Sequence, residues 1–250
     1  MLLKLKSFWL CFVLTVAAFT LLVNLGAWQL SRGEEKRQLE LQLETNRSNE
    51  SVSFTQFLQS HPDSNQPIYT GIKAYVEAAP VPGLRFLLDN QTFRGKVGYL
   101  AYQLFVDSLE QYFLFELGFV PATNSRQTLP KVDWLDKPVR VNGRVYQRSL
   151  NPLSSDVGME EGAVIRLQNP NITQLSEKLG INISPFMFQP QVEPWPYPQP
   201  WQPLPMKSSK HFGYAFQWFA MSFALFMLTC GLIYRFWKTH YYLGKPDKEL

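Results

Sequence analysis

The sequence predicts a membrane protein in which two transmembrane helices flank a β-rich (α+β) extracytoplasmic domain, folded as an antiparallel sheet or partly closed barrel. One apolar run lies between Lys6 and Arg32 and another between Lys210 and Arg235, and neither contains Asp, Glu, Lys or Arg. Each is long enough for the roughly 20 residues that cross a hydrocarbon core of about 30 Å. The mean hydropathy of the whole chain is slightly negative, so the sequence between the two runs must be polar.

The first apolar run resembles a signal peptide in its position, but its length favours a retained anchor. The apolar part of a signal peptide spans roughly 7–15 residues and ends at a small-x-small cleavage site. This run is longer, and no such site followed by a mature start is evident. We therefore expect the first helix to remain in the protein.

The net charge of the protein is concentrated in its two tails. Residues 1–6 and 235–250 hold six Lys/Arg and two Asp/Glu, whereas residues 7–234 hold eighteen of each, and the net charge of the chain is +4. Because basic residues at the ends of spans stay on the cytoplasmic side, we expect cytoplasmic termini and a periplasmic central domain. The neutral central segment lacks the basic excess that nucleic-acid binding requires. No Arg- and Ser-rich transit segment precedes the first run, which favours a bacterial inner (plasma) membrane.

These observations divide the chain into seven segments. We expect a cytoplasmic N-terminus (1–6), a first transmembrane helix (7–28), a helical extension (29–47), a β-rich periplasmic domain (48–183), a Pro/aromatic-rich connector (184–210), a second transmembrane helix (211–234) and a cytoplasmic tail (235–250). In the helical extension, the three- and four-residue spacing places five side chains on one helical face, namely Trp28, Arg32, Lys36, Leu39 and Leu43. That face is either solvated or a docking surface for the rest of the central domain.

The central domain is predicted to contain six strands, because six aromatic or β-branched segments are bounded by Gly, Pro, Asn or Asp. They cover residues 68–78, 85–91, 98–106, 111–120, 139–148 and 163–168. The segments Val81–Gly83 and Asp107–Glu110 are predicted turns, and the second would join two strands into a hairpin. Strands at this spacing are typical of an antiparallel sheet that closes towards a barrel or sandwich.

One short helix and one extended segment follow the strands. Asn169 is predicted to cap the helix, Pro170 suits its first position, and Gly180 would end it. Residues 184–205 contain eight prolines interleaved with Trp195, Tyr197 and Trp201. We expect this segment to be an extended connector outside the core, with its tryptophans at the lipid headgroups.

The sequence contains none of the common catalytic templates, so we do not expect an enzyme. It has no Gly-rich phosphate loop, serine nucleophile elbow or His-Glu metal helix, and its three histidines do not have metal-ligand spacing. Cys11 and Cys230 lie within the apolar runs and the central domain has no cysteine, which excludes a cysteine metal site there.

His211 differs from the other histidines because it stands at the outer end of the second apolar run. Tyr214 and Trp218 follow it by three and seven residues and so share its helical face, and Trp28 and Gln29 lie at the corresponding depth of the first run. Imidazole is a common axial ligand of haem iron, and tryptophan and tyrosine also form interfacial belts. A haem contact and an interfacial aromatic belt are therefore both open interpretations.

Two motifs resemble those of the surfeit locus protein 1 family of cytochrome c oxidase assembly factors. The first is Gly26-x-Trp28-Gln29-x-x-Arg32-x-x-x-Lys36-x-x-Leu39, and the second is His211-x-x-Tyr214-Ala215-x-Gln217-Trp218-Phe219. The predicted topology and domain size are also similar, so the resemblance covers essentially the whole chain. One strand departs from the family pattern of Asn/Asp-Arg-Gly-Trp-Val-Pro, because it reads Phe115-Glu116-Leu117-Gly118-Phe119-Val120-Pro121.

The resemblance implies a non-catalytic assembly factor that assists insertion of haem a into subunit I of cytochrome c oxidase, alongside other oxidase biogenesis factors. It implies that His211 binds the iron. We further hypothesise that the outer rim of the two spans contacts haem a or the oxidase subunit that receives it, through Trp28, Gln29, Arg32, His211, Tyr214 and Trp218. Arg32 could pair with a propionate, because its planar guanidinium suits a carboxylate. The alternative is a membrane-anchored periplasmic binding or sensory module unrelated to the oxidase.

Overall fold

The computed structural model describes residues 2–61, 70–124, 128–148, 156–200, 204 and 206–243, without the side chains of 2–8 and 240–243. In chain order its elements are α1 (Leu2–Ser48), β1 (Val52–Ser53), α2 (Phe54–Ser60), β2 (Lys73–Phe93), β3 (Lys96–Asp107), β4 (Tyr112–Pro121), β5 (Val139–Tyr146), β6 (Ile165–Leu167), α3 (Ile172–Leu179), β7 (Met187–Pro190) and α4 (Ser208–Leu243). They form two compact units. The helical unit comprises Met1–Glu40 and Leu204–Leu250, and the sheet unit comprises Leu41–Pro203.

The two long helices are suited to cross a membrane. At about 1.5 Å per residue, α1 and α4 are roughly 70 Å and 54 Å long. Their length and composition meet the requirements of a span over Trp9–Ser48 and Ser208–Thr239, and only 6% of the most apolar window of each is buried. The core helix of a soluble protein would be mostly buried, so these two helices indicate membrane anchoring. The predicted helical extension is continuous with the first span within α1.

The last residues of α1, from Leu41 onward, belong to the sheet unit and pack within it. The Asn46 side-chain amide donates a hydrogen bond to the carbonyl oxygen of Thr70 at 3.4 Å, and Leu43 lies against Gly71, where a Cβ atom would be 2.7 Å from the Leu43 methyl. At Leu43, the docking interpretation of the helical face is therefore the one that the structure supports.

The sheet is mixed, so the predicted antiparallel sheet is wrong. The pairs β2–β3, β3–β4, β2–β5 and β5–β7 are antiparallel, whereas β1–β2, β2–β6 and β4–β7 are parallel. The hairpin-connected strands are antiparallel, but β1, β6 and β7 join the sheet through longer connections that allow either direction. The pairing of β4 with β7 consists of one residue pair, Phe115–Phe188. The partly closed barrel therefore stays a prediction.

The predicted turn at Val81–Gly83 is wrong, because this segment lies inside one long strand. β2 covers most of the first two predicted strands, and its register with β3 shifts between Pro80 and Arg85. Gly83 has a φ of +79°, a conformation that a β-carbon disfavours. The Pro-Gly sequence therefore bends the strand as an irregularity of the ladder without ending it.

The predicted hairpin at Asp107–Glu110 is confirmed. It joins the antiparallel strands β3 and β4, and one carboxylate oxygen of Asp107 accepts hydrogen bonds from the backbone N–H groups of Leu109 and Gln111, each at 2.9 Å. Aspartate commonly closes a turn by bonding the backbone two residues ahead in this way.

Two groups of buried apolar side chains lie on opposite sides of the sheet. Along β3, Ala101 and Phe105 belong to the first core and Leu100 and Leu104 to the second, as the two-residue period of a strand requires. Helix α2 contributes to the first core and α3 to the second. A sheet with both faces covered explains why β3 and β4 carry apolar side chains at most consecutive positions.

Three further elements differ from the sequence prediction. β1 and α2 lie before the first predicted strand, where no element was predicted. Asn171 caps α3 in place of Asn169, because the Asn171 side chain accepts a hydrogen bond from the Gln174 N–H at 3.1 Å. Gly180 ends α3 in a left-handed conformation, as predicted.

The segment expected to be a connector contributes to the core of the sheet unit. All four residues of β7 are buried, and Trp195 and Tyr197 pack against the first core. The expectation that these two rings rest at the lipid headgroups is therefore wrong. Trp201 lies outside the described residues.

Candidate functional site

The helical unit is held together by two glycines of α1 that face two phenylalanines of α4. A Cβ atom placed on Gly26 would lie 2.8 Å from the Phe219 ring, and one placed on Gly33 would lie 2.6 Å from the Phe212 ring. Because both pairs are seven residues apart in each helix, the contacts repeat after two turns, as in paired helices with a seven-residue period. The absent side chains let the backbone of α1 approach α4 closely.

His211 and Gln29 meet between these two helices. Nδ1 of the His211 ring lies 2.8 Å from the side-chain carbonyl oxygen of Gln29, and both side chains are half-buried. The sequence predicted that these residues lie at corresponding depths, and the structure brings them into a direct hydrogen bond. The glycine–phenylalanine contacts set the separation of the two helices. Within this otherwise apolar interface, His211 and Gln29 form a polar pair.

Arg32 and Trp28 form a second contact of the predicted site, on the surface of α1. The guanidinium carbon lies 6.0 Å from the centre of the Trp28 ring, within the range of a cation–π interaction. Arg32 also donates a hydrogen bond to Glu35 at 2.7 Å, and both side chains are about half exposed. An exposed ion pair of this kind contributes little to stability, so Glu35 would yield readily to another carboxylate.

Tyr214 and Trp218 share the face of α4 that carries His211, but they do not complete an enclosed pocket. Tyr214 is exposed and Trp218 is half-buried. Within the described residues, no hydrogen bond or ring contact joins either of them to His211 or to Trp28. The structure therefore provides a polar pair and nearby aromatic rings on an open surface.

The N-terminus of α4 is held by a carboxylate that the sequence analysis missed. The two oxygens of Glu40 accept hydrogen bonds from the backbone N–H of Ser208 at 2.9 Å and from its hydroxyl at 2.6 Å. The first N–H groups of a helix lack partners within the helix. A carboxylate at this end is also attracted to the positive end of the helix dipole. Glu40 of α1 thus caps the N-terminus of α4 and helps to fix the register of the two helices.

A seven-residue spacing could have identified these missed contacts. Gly26, Gly33 and Glu40 follow one another at intervals of seven in α1, and Phe212 and Phe219 do so in α4. Small residues at a regular interval in an apolar helix are a recognised sign of close helix packing.

The central strand β4 carries a buried polar cluster that the sequence analysis also missed. Glu116 is completely buried, and its carboxylate accepts hydrogen bonds from Tyr146, from Tyr102 at 3.3 Å and from the Gln189 amide at 2.6 Å. The Tyr102 and Tyr146 hydroxyls are 3.1 Å apart. Strand spacing places these residues on the side of the second core, but only the pairing of β3, β5 and β7 around β4 brings them together.

Two arginines lie at the ends of this cluster. Arg144 donates to Gln189 at 2.6 Å and Arg148 donates to Tyr102 at 3.4 Å. Burial raises the pKa of Glu116, while its hydrogen bonds to Tyr146 and Gln189 oppose that rise. Burial and the neighbouring carboxylate raise the pKa of both tyrosines, so their hydroxyls keep the protons that they donate. The buried carboxyl group of Glu116 therefore has hydrogen-bond partners within the cluster, and the two arginines donate hydrogen bonds to members of that cluster.

Leu117 lies in the strand that departs from the family pattern, and it forms a bulge there. The register of β3 and β4 passes from Ala101–Gly118 to Tyr102–Glu116, so Leu117 is the additional residue of a β-bulge. Its side chain is buried in the first core. Its carbonyl oxygen accepts hydrogen bonds from Trp195 at 2.7 Å and Gln199 at 3.1 Å, and the bulge thereby attaches the Pro/aromatic-rich segment to the sheet.

The described residues contain no group of three or more His, Cys, Asp or Glu that could hold a metal ion. A single histidine can still serve as an axial ligand of haem iron. One open cleft in the sheet unit, with a volume of about 650 Å³, is lined by residues 129–134, 160–164 and 166. It contains none of the predicted site residues.

Together, the fold and the site define a membrane-anchored protein with two apolar helices, a polar pair between them and a mixed-sheet domain. The chain belongs to the SURF1 family, because the model of that family matches residues 16–223, which include both motifs. The resemblance noted in the sequence is thus confirmed. The family is associated with cytochrome c oxidase assembly, and its members are assembly factors that are generally non-catalytic. A comparison with curated proteins gave no match.

Proposed function

We propose that this protein assists insertion of haem a into subunit I of cytochrome c oxidase, without catalysing a reaction. Membership of the SURF1 family supports the link to oxidase assembly. The observation that carries the haem part is the His211–Gln29 hydrogen bond between two apolar helices. Haem a would be the cargo of the protein, bound transiently before its transfer.

The residues at the helix pair suit haem a chemically. The His211 imidazole has a second ring nitrogen that can bind iron. The Arg32 guanidinium is exposed and can exchange Glu35 for a haem propionate, to which it is complementary in charge and shape. The exposed rings of Trp28 and Tyr214, together with Trp218, offer apolar surface for the macrocycle.

The proposed setting is a bacterial inner membrane, with cytoplasmic termini and a periplasmic sheet domain. The basic tails and the neutral central segment support this orientation. In this setting the site residues lie near the periplasmic ends of the two spans, and the sheet domain would contact subunit I or other oxidase biogenesis factors.

The absorption spectrum of the purified full-length protein tests the haem proposal. The protein would be purified in detergent from a host that makes haem a, as wild type, as His211→Ala and as the control His240→Ala, which removes a histidine near the other end of α4. We expect haem a absorption in the wild type and the control and at least a tenfold loss in His211→Ala. Equal haem content in all three proteins would contradict the role of His211.

The alternative, a periplasmic binding or sensory module unrelated to the oxidase, would use the cleft of the sheet unit. Its lining combines apolar Leu129 and Trp134 with charged Lys131 and Arg166, which could accept a ligand. Copurification from native membranes separates the two proposals. Recovery of oxidase subunits supports an assembly factor, and recovery of an unrelated envelope partner without oxidase subunits supports the alternative.

A further inference from the structure

We infer that Gln29 is a positioning residue whose side-chain carbonyl holds His211 in the Nδ1–H tautomer and leaves the ring lone pair on Nε2. The link to haem rests on the proposed function, but the tautomer itself does not. The sequence predicts Gln29 to be one of the haem contacts. The structure places it behind the histidine, where it acts through His211.

The chemistry of the two groups determines which ring nitrogen carries the proton. The Gln29 carbonyl oxygen lies 2.8 Å from His211 Nδ1 and can only accept a hydrogen bond. Nδ1 must therefore carry the hydrogen, and a neutral imidazole has only one N–H. The remaining nitrogen, Nε2, has the lone pair that a metal ligand requires.

The surroundings of the pair keep this arrangement in place. Both side chains are half-buried, and the helix separation is set by the glycine–phenylalanine contacts, with Gly33–Phe212 beside His211 in α4. The Glu40–Ser208 hydrogen bonds fix the start of α4 three residues before His211. Among the described residues, Gln29 is the hydrogen-bond partner of His211, so no second group competes for the orientation of the ring.

A hydrogen-bond acceptor behind a ligating histidine has a known effect on metal binding. It fixes the tautomer and the ring orientation and makes the ligating nitrogen more basic, and its removal typically costs about 10- to 100-fold in metal affinity. Gln29 would therefore tune the affinity of His211 for iron without touching the iron.

Nitrogen-15 NMR of the full-length, haem-free protein in detergent at pH 8 tests the tautomer. The chemical shifts of Nδ1 and Nε2 distinguish the two tautomers, and His211→Ala assigns the signals. We expect Nδ1–H in the wild type, in Gln29→Glu and in the control Gln38→Leu, which alters an exposed glutamine of the same helix. Gln29→Leu should give mainly Nε2–H, the tautomer that an unpartnered imidazole favours. Nε2–H in the wild type, or Nδ1–H in Gln29→Leu, would overturn the inference.

Titration of the same proteins with ferric haem separates the inference from the proposed function. We expect Gln29→Leu to bind ferric haem about 10- to 100-fold more weakly than wild type, with Gln29→Glu close to wild type. If the tautomer changes as expected but no protein binds haem, Gln29 positions His211 and the haem proposal fails. If haem binding depends on His211 but the tautomer is the same in Gln29→Leu as in wild type, the haem proposal stands and this inference fails.

Discussion

At the scale of single residues, Glu116 is the least expected feature of the sheet domain. Its carboxyl group is fully buried and is satisfied by two tyrosines and an amide rather than by direct ion pairing. Burial of a charge is costly unless hydrogen bonds compensate it. The acid therefore makes the stability of the domain depend on pH.

Replacing Glu116 with Gln should remove this pH dependence. Burial raises the pKa of Glu116 in the folded protein above the value of about 4.3 for an unfolded chain. A group with a raised folded pKa contributes stability that is present below about pH 4.3 and is lost as the pH rises through the folded pKa. The free energy of unfolding of Glu116→Gln, relative to that of wild type, should therefore increase by about 1–3 kcal/mol as the pH rises from 4.5 to 8.

Denaturant unfolding of the full-length protein in detergent, followed by tryptophan fluorescence, measures this difference. Glu116→Leu serves as the comparison, because it leaves the Tyr102, Tyr146 and Gln189 groups without their acceptor and should destabilise the domain at every pH. If the free energies of unfolding of wild type and Glu116→Gln changed by the same amount from pH 4.5 to pH 8, Glu116 would not be the titrating group.

His211 and Glu116 also show what a sequence can and cannot reveal about a site. His211 was identified because a histidine at the end of an apolar span is unusual and stands within a motif. Glu116 was noticed only as a departure from the family pattern, because its partners lie 14, 30 and 73 residues away. Such contacts depend on strand order, which the sequence left open.

At the scale of elements, the pairing of α1 and α4 depends on two glycines. Gly26→Ile would place new atoms within the Phe219 ring, from which even a Cβ would be 2.8 Å away. Overpacking of this kind costs about 1–3 kcal/mol, so the helices should pair less closely. Phe219→Ala in the same protein should restore the pairing, because it makes room for the new side chain.

Cross-linking between the helices measures this effect. The rings of Phe19 and Phe226 lie 6.4 Å apart, so cysteines at these positions, in a protein with Cys11 and Cys230 replaced by Ala, report on pairing. We expect the yield with a short thiol cross-linker to fall severalfold in Gly26→Ile and to recover with Phe219→Ala. Gly231→Ile is the matched control, because no atom lies within 4 Å of its Cβ position. An equal fall in the control would show that the close approach at Gly26 is not responsible.

The elements predicted best were those whose signal is local. Hydrophobic runs without charge indicated both long helices, and the Asp107 turn indicated the β3–β4 hairpin. The Pro-Gly pair at 82–83 predicts a turn but lies inside β2, because a bulge inside a strand and a turn between strands use the same residues. β7 is not predicted because the surrounding prolines indicate an extended connector outside the core, whereas the Leu117 bulge holds that segment against the sheet.

At the scale of the whole molecule, the distribution of charge, the two apolar helices and the SURF1 family membership support one account. The tails of the chain hold its entire net charge of +4, and only 6% of the most apolar window of each candidate span is buried, as lipid-facing helices require. The sheet domain has two cores of its own. Under the proposed function, the helical unit would contact haem a and the sheet unit would dock on the oxidase.

The haem a content of cytochrome c oxidase in native membranes tests this account most directly. A strain that lacks this protein would be complemented with the wild type, with His211→Ala or with the control His240→Ala, each at matched protein level. We predict that the wild type and the control restore haem a per subunit I, and that His211→Ala leaves it near the level of the uncomplemented strain. Normal haem a in the uncomplemented strain would contradict a role in oxidase assembly, and full restoration by His211→Ala would contradict the role of the helix-pair site.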